Sequence, residues 1–174
     1  MKKLGIVSSV LVGAAVLTSG VQAGEISIGE KIIGLEIGSG TIEADTLIGG
    51  YDTRGTDVEY GIRLGAQNDE WRTLLVLDYY DNSDDDQEYF KGLVSFDYLL
   101  TESEFKPFIG INLGYLDYTS TNYDDSGFLY GGQLGVLYRV AENVQVDVTY
   151  RYSFVEADHV NHVEDIVFGV NYIF

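Results

Sequence analysis

The sequence predicts an all-β fold: eight antiparallel strands closed into an up-and-down transmembrane β-barrel, preceded by an N-terminal signal peptide. Three observations carry the prediction. Apolar and polar residues alternate with a period of two through run after run, the connections between runs are alternately short and long, and nine glycines share the polar face.

The start of the chain reads as a processing segment. Lys2 and Lys3 supply positive charge, Leu4 to Leu17 an apolar stretch, and Val21-Gln22-Ala23 a small-residue cleavage site. The apolar stretch is broken by Ser8 and Ser9 and is shorter than the roughly 20 residues a spanning helix needs. Residues 1–23 are therefore expected to be a signal peptide and residues 24–174 a single domain. Loss of the two lysines takes the formal charge from −18 to −20, which excludes nucleic acid as a partner because phosphate binding needs a cationic surface. There is no cysteine, so the domain relies on its backbone ladder and packing rather than on disulfides.

Eight alternating runs follow, at about 31–40, 57–66, 71–80, 89–100, 107–118, 128–139, 144–154 and 163–174. In the second, Val58, Tyr60, Ile62 and Leu64 oppose Glu59, Gly61, Arg63 and Gly65. In the seventh, Val144, Val146, Val148, Tyr150, Tyr152 and Phe154 oppose Gln145, Asp147, Thr149, Arg151 and Ser153. The connections after runs two, four and six are short, whereas 41–56, 81–88, 119–127 and 155–162 are long and acidic. Pro107, the only proline, falls at the start of run five, where a missing N–H is tolerated.

Alternation also fits a soluble β-sandwich. Glycine placement argues for the barrel: Gly34, Gly38, Gly61, Gly65, Gly110, Gly114, Gly131, Gly135 and Gly169 lie on the polar face, where glycine makes room inside a narrow closed barrel. Trp71, Tyr79, Phe90, Tyr98, Tyr115, Tyr138, Tyr152 and Tyr172 sit at the ends of apolar runs, as interfacial girdles would. The chain stops on Phe168, Val170, Tyr172 and Phe174, all on one apolar face.

That final VFGVNYIF resembles the carboxy-terminal signal by which the outer-membrane assembly machinery recognises its clients. Together with the signal segment, the eight runs and Tyr150-Arg151-Tyr152 before an acidic loop, it resembles the OmpA-like, opacity-type family of small outer-membrane β-barrels. The resemblance covers all of residues 24–174 and rests on pattern rather than on a strict motif. It implies a bacterial outer-membrane location, contact with outer-membrane lipids and lipopolysaccharide, and a structural or surface-interaction (adhesin-like) role, with host surface ligands as partners.

On the inferred phase the interior receives Glu36, Glu59, Asp78, Asp97 and Asp147 with Arg63, Arg72, Lys91, Arg139 and Arg151. Five of the eight basic residues beyond the signal segment thus share one face with five acids. If runs three and four form a hairpin in which position i faces 169 − i, Asp78 meets Lys91 and Arg72 meets Asp97. Glu36 is likewise placed near Arg63, and Arg139 diagonal to Asp147. Unpaired buried charge costs several kcal/mol, so this interior is expected to close into salt bridges that plug the lumen. A narrow porin-like channel for ions or small solutes is the alternative.

Other motifs carry less. Asp81-Asn82-Ser83-Asp84-Asp85-Asp86 offers alternate oxygens, yet position six is Asp86 and position twelve Gly92, so it is not an EF-hand loop. Asp84, Asp85 and Asp86, with Asp124 and Asp125, are candidates only for sharing divalent ions with lipopolysaccharide. Ser153, Asp158, His159 and His162 are the residues a lipid-A-modifying enzyme would draw on, but Ser153 falls on the interior phase and the others in a loop. No enzymatic activity and no cofactor are predicted.

Overall fold

The computed structural model describes residues 29–44, 53–82, 87–120, 124–157 and 160–174. The predicted signal peptide, Asp84, Asp85, Asp86, Asp158 and His159 lie outside them. Eight strands are described: β1 Glu30–Ala44, β2 Thr53–Gln67, β3 Trp71–Asn82, β4 Gln87–Leu99, β5 Phe105–Ser120, β6 Asp124–Ala141, β7 Val144–Glu156 and β8 Val160–Ile173. Each pairs antiparallel with its neighbours in sequence, and β1 pairs with β8, so the sheet is a closed barrel without a free edge. At the seam Lys31 and Phe174 exchange backbone hydrogen bonds of 2.9 and 3.1 Å, which sets Phe174 at the end of the barrel that carries the short turns.

The alternation decides which way each side chain faces. Odd residues of β7 from Gln145 to Ser153 are buried, while Val148, Tyr150 and Phe154 are exposed. The same rule holds around the barrel, where Leu35, Ile62, Ile109, Leu134, Ile166 and Val170 all stand on the outer wall. A soluble domain rarely exposes more than a few hundred Å² of contiguous apolar surface, so a belt that runs around the whole barrel is a surface for hydrocarbon. The eight ring residues predicted for the girdles also lie on this outer wall. Trp71 and Tyr98 pack at 4.9 Å near the short turns, and Phe128, Tyr130 and Phe154 cluster nearer the long connections.

The strands run further toward the long connections than the alternation predicts. β6 has 18 residues and β5 has 16, against the roughly 9–11 that cross a bilayer at a tilt. The physical reason is that ladder bonds need only backbone, so pairing persists where side-chain alternation has given way to Asp, Thr and Ser. Thr41 and Thr56, opposite each other in β1 and β2, add a 3.0 Å hydroxyl contact there. Pro107 is the third residue of β5 rather than its first, opposite Val136, and its carbonyl accepts from the Leu100 N–H at 2.9 Å.

Glycine size matters where the wall meets a large interior side chain. A Cβ on Gly169 would stand 2.0 Å from Arg63 Nη1 and 2.9 Å from Asp147 Oδ2, whereas one on the outward-facing Gly132 would meet only the Gly110 carbonyl at 3.6 Å. Gly169→Ala should therefore lower stability by about 1–3 kcal/mol through overpacking, and Gly132→Ala should change it little. Urea unfolding of the refolded protein in detergent micelles, read at its midpoint, checks the contrast.

Candidate functional site

The chemistry-bearing residues lie in the lumen, which is layered along the barrel axis. Toward the long connections it is capped by Tyr80, Tyr89, Leu116, Tyr118, Leu129, Val155 and Val163. Tyr80 and Tyr89 stack in this cap with centroids 4.5 Å apart. The alternation marks these positions as inward, but an apolar cap inside a polar face is not expected from the sequence. Toward the short turns a second apolar cluster, Leu99, Phe108 and Leu137, narrows the interior. Charged residues fill the space between, beside a further apolar group of Ile32, Leu74, Val76 and Leu93.

β3 and β4 pair with Asp78 opposite Lys91 and Arg72 opposite Asp97. Lys91 Nζ stands 3.4 Å from Asp78 Oδ2, and Arg72 Nε donates to Asp97 Oδ2 at 2.9 Å. The Arg63 guanidinium bonds Glu36 through Nε and reaches across the lumen from β2 to β7, where Nη1 meets both Asp147 oxygens at 2.9 and 2.8 Å. Arg72 also donates to Asp147, at 3.3 Å, and Asn171 and Thr149 complete its partners at 2.7 and 2.9 Å. A carboxylate with this many donors is held in one orientation, because each bond constrains the others.

Arg151 and Lys91 gather the remaining acids. Arg151 Nη1 lies 3.4 Å from Glu36 Oε1, 3.4 Å from Asp78 Oδ2 and 3.5 Å from Asp165 Oδ2, while its Nε donates to Gln133 Oε1 at 3.2 Å. Gln133 passes the chain on to Asp97 at 2.6 Å. Lys91 donates to Glu59 Oε2 at 3.1 Å and to Asp165 Oδ2, and Tyr89 donates its hydroxyl to Glu59 Oε2 at 2.7 Å. The guanidinium of Arg72 also rests 4.4 Å over the Phe108 ring.

Arg139 departs from its expected pairing. It does not reach Asp147; it bonds Glu30 and the Glu142 carbonyl at the short-turn mouth, with its side chain 30% exposed. Arg139 pairs with Gln145 in the regular β6–β7 register, which leaves Asp147 diagonal to it, but Asp147 is already claimed by Arg63 and Arg72, and Glu30 takes Arg139 at the rim. Asp165 is an interior acid that the sequence reading does not include, although it is 1% exposed and lies on the same parity as Val167 and Gly169 in β8. Extending that strand's phase by two residues finds it.

Ser153 is buried inside and donates to Asn112 Oδ1 at 2.9 Å, whereas His162 stacks on Tyr152 at 5.0 Å on the outer side of the wall. The two therefore face opposite sides of the sheet and form no nucleophile–base pair. Phe168, Val170, Tyr172 and Phe174 stand on the outer wall, between 44% and 65% exposed.

Truncating Asp147 removes the acid that two buried guanidinium groups share, so Asp147→Ala should cost about 3–5 kcal/mol, the penalty of an unpaired buried charge. Arg139→Ala at the rim should cost about 0–1 kcal/mol, as for a partly exposed pair. Parallel urea titrations of the two variants check the ranking.

No family model matches the sequence. No curated protein matches it either. Solved structures do match in fold. The crystal structure of Neisserial surface protein A aligns with a TM-score of 0.61 at 21% identity, covering 82% of this chain and 97% of that one. The solution structure of outer membrane protein H from P. aeruginosa gives 0.60 at 20% identity, over 84% and 100%. The N-terminal β-barrel domain of Pseudomonas aeruginosa OprF gives 0.58 at 14% identity, over 81% and 97%. The closed ladder, the apolar outer belt and these likenesses together show that this chain has the fold of the small outer-membrane β-barrels.

Proposed function

We propose that the protein is a non-enzymatic outer-membrane barrel with a structural and surface-interaction role. One observation carries the reading: the lumen is filled with buried, salt-bridged charges and capped, while the strands continue past the apolar belt toward long acidic connections. A filled interior leaves the barrel wall and the loop end as the surfaces on which other molecules can act. The wall would contact outer-membrane lipids and lipopolysaccharide, and Phe168, Val170, Tyr172 and Phe174 would serve as the assembly machinery's recognition strip. The connections that hold Asp84, Asp85 and Asp86 would meet host surface ligands.

A channel needs a continuous aqueous path. Arg63, Arg72, Lys91 and Arg151 are each no more than 1% exposed and bonded to acids inside the lumen, which works against one.

Two measurements test the reading. In planar bilayers the purified barrel should show no discrete openings, and stable unitary steps would favour the channel instead. Displayed on a non-adherent bacterium, the protein should confer attachment to cultured epithelial cells that is lost when residues 45–52, 83–86 and 121–123 are replaced by Gly-Ser linkers; attachment unchanged by the replacement would refute the surface role.

A further inference from the structure

The interior charges do not balance. Among the described residues, Glu36, Glu59, Asp78, Asp97, Asp147 and Asp165 are buried in the lumen, against Arg63, Arg72, Lys91 and Arg151, with Lys106 buried only at the short-turn mouth. The surplus is local. Asp97 and Asp147 are met by Arg72 and Arg63, which leaves Glu36, Glu59, Asp78 and Asp165 around Lys91 and Arg151, with a further bond from Arg63 to Glu36. Four carboxylates therefore share two full cations and part of a third, in a region closed to solvent.

The oxygens show where the missing charge belongs. Lys91 and Arg151 use Glu59 Oε2, Asp78 Oδ2 and Asp165 Oδ2, and each of those carboxylates keeps its second oxygen buried without a hydrogen-bond partner: Glu59 Oε1, Asp78 Oδ1 and Asp165 Oδ1. Buried anionic oxygens without a donor are costly, and a bound cation or a proton relieves that cost. Ligand oxygens of Glu36, Glu59 and Asp78 also lie within 4.8 Å of one another. Two oxygens on one Ca²⁺, each at roughly 2.3–2.6 Å, span up to about 5 Å, so Ca²⁺ fits any separation in that range, whereas Mg²⁺, with bonds near about 2.1 Å, fits only those below about 4 Å.

We propose that the loop-side half of the lumen binds one divalent, oxygen-seeking cation of the calcium class, held by Glu36, Glu59 and Asp78. The ion supplies the charge that Lys91 and Arg151 leave uncompensated, and it enters during folding because the tyrosine cap covers the site.

The test refolds the protein from urea into detergent micelles with Ca²⁺, with Mg²⁺ or with a chelator, and follows thermal unfolding by gel mobility. Ca²⁺ is expected to raise the midpoint by several degrees and Mg²⁺ by less. Asp78→Asn should abolish the response, while the triple change of Asp84, Asp85 and Asp86 to Asn should keep it. No Ca²⁺ shift, an equal Mg²⁺ shift, a shift retained by Asp78→Asn or one lost in the triple variant would each overturn the proposal. Should Asp78→Asn not fold, Tb³⁺ replaces Ca²⁺ as the probe. Tyr89, hydrogen-bonded to Glu59, should sensitise Tb³⁺ emission from the refolded protein, and Glu59→Gln should remove it; emission unchanged in that variant contradicts the site.

Discussion

The width of an eight-stranded barrel is the constraint on which the rest of this structure depends. Closure satisfies every strand edge and lets the outer wall be apolar, but it leaves an interior only wide enough for side chains. Charges placed there have little access to water, so they must find one another across the lumen. The Arg63–Asp147 contact, joining β2 to β7 over 84 residues of sequence, is the clearest expression of that constraint. Each wall is braced against the opposite one by groups that would be expensive to leave unpaired.

The same narrowness sets the composition of the wall. Glycine stands where an arginine or aspartate head must pass close to the backbone, as Gly169 does beside Arg63 and Gly61 beside Asp78. Outside, nothing presses on the wall except neighbouring side chains and lipid. The polarity of a soluble domain is inverted as a result, with charges inside and aliphatic and aromatic residues outside. Capping the charged layer with Tyr80, Tyr89 and Tyr118 keeps it dry on the side that faces the long connections.

Much of this is legible in the sequence, because period-two alternation fixes which residues point inward once the strands are recognised. The β3–β4 register follows from the hairpin alone, and with it the pairs Asp78–Lys91 and Arg72–Asp97. Contacts between strands distant around the barrel are not legible. Nothing local links Arg63 to Asp147, or Arg151 to Glu36 and Asp78, because those distances depend on closure. Arg139 is misplaced for the same reason: it stands diagonal to Asp147 as the hairpin predicts, but Arg63 and Arg72 reach that carboxylate from β2 and β3, and Glu30 of β1 takes Arg139 at the rim. Asp165 is lost near the start of β8, where the clear alternation begins only at Ile166 and the positions of inward parity before it mix apolar Val163 with polar Asn161.

All of these features require that the chain form a closed barrel stable in a membrane-like environment. That closure is tested most directly by gel mobility of the detergent-extracted protein before and after boiling. A closed ladder resists detergent when cold and opens on heating, so the account predicts a clear change in migration between the two samples. A protein recovered in the soluble fraction, migrating identically with and without boiling, would contradict it.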